Sequence, residues 1–294
     1  MGKLQVVRNI TDLNTALAAN TVAQCGFQRK NNGELHAGHV ACIAAANVAA
    51  DISLISFFPH EEIMNYLFDT NIPVPLNWDE SYCINFCEDN GVDVVFIPTF
   101  SGVLDIFFGG LTVSGINDLI NGALSMKGYD GYSGKTLDYT IVMEYLRKTK
   151  NLYTKSATIF STKDGYKSFA RKNYYETELN IPCVLIDMIY RPDGLPEATA
   201  FTNMPQQNLD VLVQMYNIMK GKSYEYLYSL NDFESLTNEL NACDTKTTKT
   251  IFVDFIRCRK EGLIGANKIL LEASIFAGSE SEVVSLVVIK EQIV

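Results

Sequence analysis

The sequence predicts an α/β protein: a Rossmann-like parallel sheet followed by a smaller C-terminal α+β domain. Three observations carry that expectation. Short apolar runs rich in β-branched residues recur up to residue 190, with helix-like segments between them. The segment between the first two runs is rich in alanine, the strongest helix former. Beyond a proline-bearing stretch the pattern changes to one helix and two further strand-like runs. Strands alternating with helices point to a parallel sheet covered by helices.

In chain order, the expected strands are Val22–Gln28, Ile52–Phe58, 92–98, 157–161 and 184–190. Residues 38–50 form the alanine-rich helix. A second helix spans 78–90, where Trp78, Tyr82 and Phe86 recur at helical spacing. Residues 187–207 hold three prolines and two turn-prone stretches, so the domain boundary falls there. The expected division is 1–188, a nucleotide-binding domain, and 189–294, a smaller domain. The latter reads as a helix over 209–220 and strands over 251–257 and 283–289. Residues 100–132, rich in glycine and apolar side chains, fit no single element. No internal repeat or low-complexity tract is present.

Composition narrows the function. The 294 residues suffice for a sizeable core, and 47% hydrophobic with 20% charged residues is ordinary for a soluble protein. A net charge of -10 repels phosphate backbones, which argues against nucleic acid as the partner. A small anionic substrate would need cations placed locally. The seven cysteines are odd in number and scattered. Cys83 and Cys87 have no matching second pair, which argues against zinc, so no metal ligands are expected. Buried, reduced thiols in a cytoplasmic protein are the simpler reading. The N-terminus lacks a basic region followed by an apolar run, unlike a signal peptide. No apolar stretch reaches the roughly 18 residues of a membrane span.

Two of the three histidines sit in Gly33-Glu34-Leu35-His36-Ala37-Gly38-His39, directly after the first expected strand and before the alanine-rich helix. Backbone N–H groups at a helix start favour phosphate, and glycine permits close backbone approach. Two imidazoles there can donate hydrogen bonds to phosphate oxygens as negative charge grows. Such a pair can also simply cap a helix or face solvent, and a four-residue pattern recurs by chance. The strand–turn–helix setting favours function.

This motif is similar to the form found in the pantothenate synthetase (pantoate–β-alanine ligase) family of the His-x-Gly-His nucleotidyltransferase superfamily. Further stretches resemble the family in order. They are 50–58, then Gly91-Val92-Asp93-Val94-Val95-Phe96-Ile97-Pro98-Thr99, then 113–123. Phe160-Ser161-Thr162-Lys163-Asp164 and Arg191-Pro192-Asp193-Gly194-Leu195 follow. The resemblance implies an ATP-dependent, AMP-forming ligase that joins pantoate to β-alanine through an acyl adenylate. ATP and Mg2+ are the implied cofactors, and a homodimer is the implied assembly. By the same analogy His36 and His39 contact the triphosphate and Lys163 neutralises it. Asp164 holds the ribose, while Gly33 and Gly38 let the backbone approach the nucleotide. Asn203 is retained from a late nucleotide-binding segment. Asp93 reads as a turn or cap residue, and His60 as a solvent-facing loop residue.

The sequence also departs from the family. Lys30-Asn31-Asn32 stands at the family's Pro-Thr-Met, and Phe58-Pro59-His60-Glu61-Glu62 where a pantoate-holding glutamine is expected. The second glutamine position falls near Tyr166, and Thr202 stands at an arginine. Lys167, Arg171 or Lys172 are nearby replacements for that charge. Three functions stay open on this basis: the ligase, a nucleotidyltransferase with another substrate, and a non-catalytic binding or assembly protein.

Overall fold

The computed structural model describes residues 4–17, 20–29, 35–59, 62, 78–103, 157–162, 165–177, 180–198, 201, 204–245, 251–260, 262–277 and 283–292. Contacts divide the chain into two compact units. One comprises Met1–Leu35, His39–Ser161 and Arg171–Ile186; the other comprises His36–Gly38, Thr162–Ala170 and Asp187–Val294.

The first unit holds a six-stranded sheet built from β1 (Gln5–Val7), β2 (Val22–Gln28), β3 (Ile52–Phe58), β4 (Val94–Phe96), β5 (Ala157–Thr162) and β6 (Cys183–Ile186). The strand order is β1-β4-β3-β2-β5-β6. The pairs β1–β4, β4–β3, β3–β2 and β2–β5 are parallel. Helices α1 (Ile10–Leu17), α2 (Ala37–Ala49), α3 (Glu80–Asp89) and α4 (Tyr166–Thr177) belong to the connections. Helix α2 turns Cys42, Ile43 and Ala46 inward, and α3 turns Cys83 and Cys87 inward. All five pack with Ala23, Cys25 and Phe27 of β2 and with Ile55 and Phe57 of β3. Ile159 of β5 faces the other way, against Tyr175 of α4. Covered faces explain why these strands read as nearly unbroken apolar runs.

The fold class matches the expectation, and β2 and β3 have the bounds read from the sequence. Two other strands are shorter. The run at 92–98 pairs only over Val94–Phe96: Asp93 instead takes the Ser53 N–H and hydroxyl on its carboxylate, at 2.9 and 3.0 Å, and Pro98 has no N–H to contribute. The run at 184–190 ends as a strand at Ile186. Tyr190 pairs with Pro196 across a tight turn, where Asp193 accepts from Leu195 N–H and from Arg191 and Gly194 has φ +87°.

In the second unit, α5 (Gln206–Gly221), α6 (Tyr224–Ser229) and α7 (Glu234–Asn241) precede an antiparallel sheet, β7 (Ile251–Lys260), β8 (Lys268–Ala277) and β9 (Val283–Glu291). Leu209, Leu212, Tyr216 and Met219 form the helical stripe of α5 that meets Leu271, Ala273, Ile275, Leu286 and Val288. A bulge between Val253 and Phe255 shifts the inward positions of β7 from Ile251 and Val253 to Ile256 and Cys258. The other face of β8, at Leu270, packs with Val287, Phe169 and Met188.

Candidate active site

Strand β2 lies between β3 and β5, and the chain leaves it towards β3 first and reaches β5 only later. Adjacent parallel strands whose connections run opposite ways open a crevice at their carboxyl ends, where ligands of such sheets bind. Pairing of β2 with β5 stops at Gln24–Ile159, whereas pairing with β3 continues to Gln28–Phe58.

The histidine motif follows β2. Helix α2 begins at Ala37, and the Gly38 N–H donates to Nδ1 of His36 at 3.2 Å. With Nδ1 accepting, a neutral His36 carries its proton on Nε2, so the ring is a donor there. A Cβ on Gly38 would lie 2.9 Å from His36 Cε1 and 3.1 Å from Nδ1, and 3.9 Å from the Thr162 methyl. Glycine here leaves room for the His36 ring in this position rather than relieving backbone strain, since its φ is not positive. His39, in the first turn of α2, stands edge-on to Phe27, with ring centroids 4.6 Å apart. Phe27 is itself packed against Phe57, and Phe57 against Trp78.

Arg29, directly after β2, was not singled out from the sequence. Its Nε and Nη2 donate to the Phe57 carbonyl at 3.2 and 3.1 Å, and Nη2 donates to the Pro98 carbonyl at 2.5 Å. The guanidinium lies 4.8 Å from the centre of the Trp78 ring. One side chain therefore ties the ends of β2 and β3 to the segment after β4.

After β5 the chain turns at Gly165, the residue before α4. Gly165 has φ +146°, and a Cβ there would lie 3.1 Å from Oε1 of Glu272. Glu272, on β8, is buried and sits in register with Arg257 on β7. A buried carboxylate is costly unless nearby positive charge offsets it. The start of α4 and Arg257 both supply such charge.

No family model matches the chain. A pantothenate synthetase from Chloroflexus aggregans is 24% identical over 233 residues, spanning 76% of this chain and 76% of the relative. Another, from Campylobacter concisus, is 26% identical over 204 residues, spanning 65% of this chain and 66% of the relative. The crystal structure of a pantoate-beta-alanine ligase from Francisella tularensis, complexed with beta-gamma ATP and beta-alanine, has the same fold. Its TM-score is 0.61 at 15% identity, covering 98% of this chain and 97% of that one. The chain is a distant relative of the pantothenate synthetases.

Of the positions that resemble pantothenate synthetase site residues, His36, Gly38 and His39 are described, whereas Gly33, Lys163, Asp164 and Asn203 lie outside the described residues. So do His60, Thr202 and the side chains of Lys167 and Arg171. Lys172 is engaged elsewhere: it pairs with Glu176 and donates to the Cys183 carbonyl at 2.6 Å, tying α4 to β6. The buried thiols of Cys25, Cys83 and Cys87 are poor nucleophiles. Burial pushes Cys83 up to about 11 and Cys87 up to about 12. Cys25, hydrogen-bonded to Cys42 and buried, is also held well above the usual range. Among the described residues no three His, Cys, Asp or Glu side chains gather as a metal site, and no helix is long and apolar enough to cross a membrane.

Proposed function

We propose that the chain is a pantoate–β-alanine ligase-like enzyme that condenses a hydroxy acid with an amine, consuming ATP and releasing AMP and pyrophosphate. The observation that carries this reading is the Gly38–His36 hydrogen bond, which makes Nε2 the donor of a neutral His36 at the start of a helix. A proton held there suits an acceptor oxygen of phosphate, and the helix start favours the same charge.

In the proposed reaction the acid's carboxylate oxygen attacks the α-phosphorus of ATP and pyrophosphate leaves. The amine then attacks the acyl carbon, loses a proton, and AMP leaves. No protein nucleophile is needed, consistent with the raised thiol pKa values. His36 and His39 would donate to triphosphate oxygens, and Lys163 would offset their charge. Asp164 would take the ribose hydroxyls. Gly33 and Gly38 would let the backbone come close, and Asn203 would complete the nucleotide contacts. Holding acid and nucleotide in line is the main rate term, since effective molarities reach about 10⁵–10⁸ M. Mg2+ would shield the phosphates, held chiefly through substrate oxygens. The same reading expects the chain in the cytoplasm and paired with a second copy of itself.

A non-catalytic binding role is the second reading. It is favoured by Thr202 at the family's arginine position and by the engagement of Lys172 with Glu176 and the Cys183 carbonyl. Calorimetry with ATP and Mg2+, with and without pantoate, followed by product analysis, separates the readings. Free AMP formed only with acid and amine supports the ligase. A nucleotide joined to product means a nucleotidyltransferase, and binding without turnover means the non-catalytic protein.

A further inference from the structure

Gln24 and Gly26 alternate with Ala23, Cys25 and Phe27, and so project from the opposite face of β2 to the one packed against α2 and α3. Packing leaves two features of that face unexplained. Gly26 lies inside a strand that is paired with β3, and yet it is exposed; a Cβ there would meet only Ser56 Oγ, at 3.9 Å. Glycine weakens a strand interior and marks places where a ligand or backbone comes close. Gln24 is 8% exposed, its register neighbours are Leu54 and Ile159, and its side chain makes no hydrogen bond among the described residues. Its amide atoms are not sealed from solvent, so a mostly buried side chain keeps its donors and its acceptor at the opening of that face.

The two features meet at one point. Pairing between β2 and β5 ends at Gln24–Ile159, so the strands part just beyond the Gln24 amide and beside the open Gly26. A side chain with one acceptor and two donors at the floor of such an opening suits an oxygen-rich ligand. We propose that Gln24 is a binding residue for a small hydroxy acid, its amide meeting a hydroxyl or carboxylate oxygen of an acid that lies over Gly26. The class of acid rests on the ligase reading above.

Gln24→Leu and Gly26→Ala test the proposal, because both should leave the fold intact or firmer. The first removes an amide that no described residue satisfies. The second adds a methyl where only Ser56 Oγ stands at contact distance. Saturation-transfer NMR and calorimetry with pantoate, glycerate and lactate, alongside ATP–Mg2+ titrations and thermal melts, give the readouts. The expected result is an unchanged or higher melting temperature in both variants, unchanged ATP affinity, and loss of roughly tenfold or more in affinity for whichever acid the wild type binds. A melting temperature that falls in Gln24→Leu, or acid binding unaltered by both variants, overturns the proposal. Wild-type binding of ATP but of none of the three acids also overturns it and leaves the nucleotide reading standing. Acid binding that depends on Gln24, with no ATP binding, supports it and defeats the ligase reading instead.

Discussion

Glu272 of β8 holds a carboxylate oxygen 3.1 Å from the position that a Cβ would take on Gly165, at the start of α4. Gly165 is also in positive-φ backbone that side chains rarely adopt. Gly165→Ala is therefore expected to destabilise the protein by about 1–3 kcal/mol through backbone strain and the displaced carboxylate. Urea unfolding measures the loss; an unchanged midpoint would mean that the turn gives way without cost.

Gly38→Ala has the opposite balance. Alanine favours a helix over glycine by about 0.5–1 kcal/mol, while the added methyl would meet His36 at 2.9 Å. The imidazole can swing aside, so stability should hold or rise. Its Nδ1 would lose the Gly38 N–H, and ATP affinity should drop by roughly tenfold, the size of one lost charge-assisted bond. Melting temperature and ATP calorimetry on one sample test both halves.

His39→Ala should lower kcat far more than ATP affinity, because an imidazole acting on developing phosphate charge contributes mainly to the transition state. The ring also packs on Phe27, so His39→Gln is the companion that keeps a donor in the space. Equal kcat in wild type and both variants would remove His39 from the chemistry.

Local patterns made most of the elements of this fold readable. β2, β3 and α2 announce themselves by β-branched runs and alanine, and the Gly33–His39 motif is contiguous. β1 is three residues long and carries little pattern, and α4 is rich in tyrosine, lysine and arginine without a clear apolar stripe. β8 is buried on both faces, and with Glu272 and Ser274 interrupting its apolar residues it has neither a strict alternation nor a helical stripe at sequence level. Arg29 and Glu272 escaped for another reason. Their partners, the Phe57 and Pro98 carbonyls and Gly165, lie far away in the chain, and an isolated arginine or glutamate has no signature of such a partner. A glycine within an otherwise strong strand, Gly26, was the one available hint of an opening.

Arg29→Ala should destabilise the first unit by about 1–3 kcal/mol, since carbonyls of Phe57 and Pro98 lose charged donors. Arg29→Lys should recover little of this. An ammonium lacks the planar fork that reaches two carbonyls while lying over Trp78. Denaturant midpoints of the two variants that differ by as much as wild type differs from alanine would refute the fork argument.

The buried thiols give a stability limit in base. Cys83 and Cys87 hold their protons up to about 11 and about 12, against an ordinary value of 9.0. Once the chain opens, they release protons more readily. Their contribution is complete below about pH 9 and disappears as pH rises through the folded values. Urea midpoints should hold up to about pH 9 and fall as pH rises towards about 11 and 12, and Cys87→Ala should flatten that fall. An equal fall in wild type and variant would assign the effect to other groups.

The parallel pairing of Val22 with Ala157 also governs how the molecule is made. β2, β3 and β4 emerge from the ribosome early and can assemble among themselves, but the opposite edge of β2 must wait until residue 157 has been synthesised. During that interval the most apolar strands present an unprotected hydrogen-bonding margin, the kind of surface that recruits other nascent chains. A contact that closes so long a loop adds to the entropic cost that slows folding.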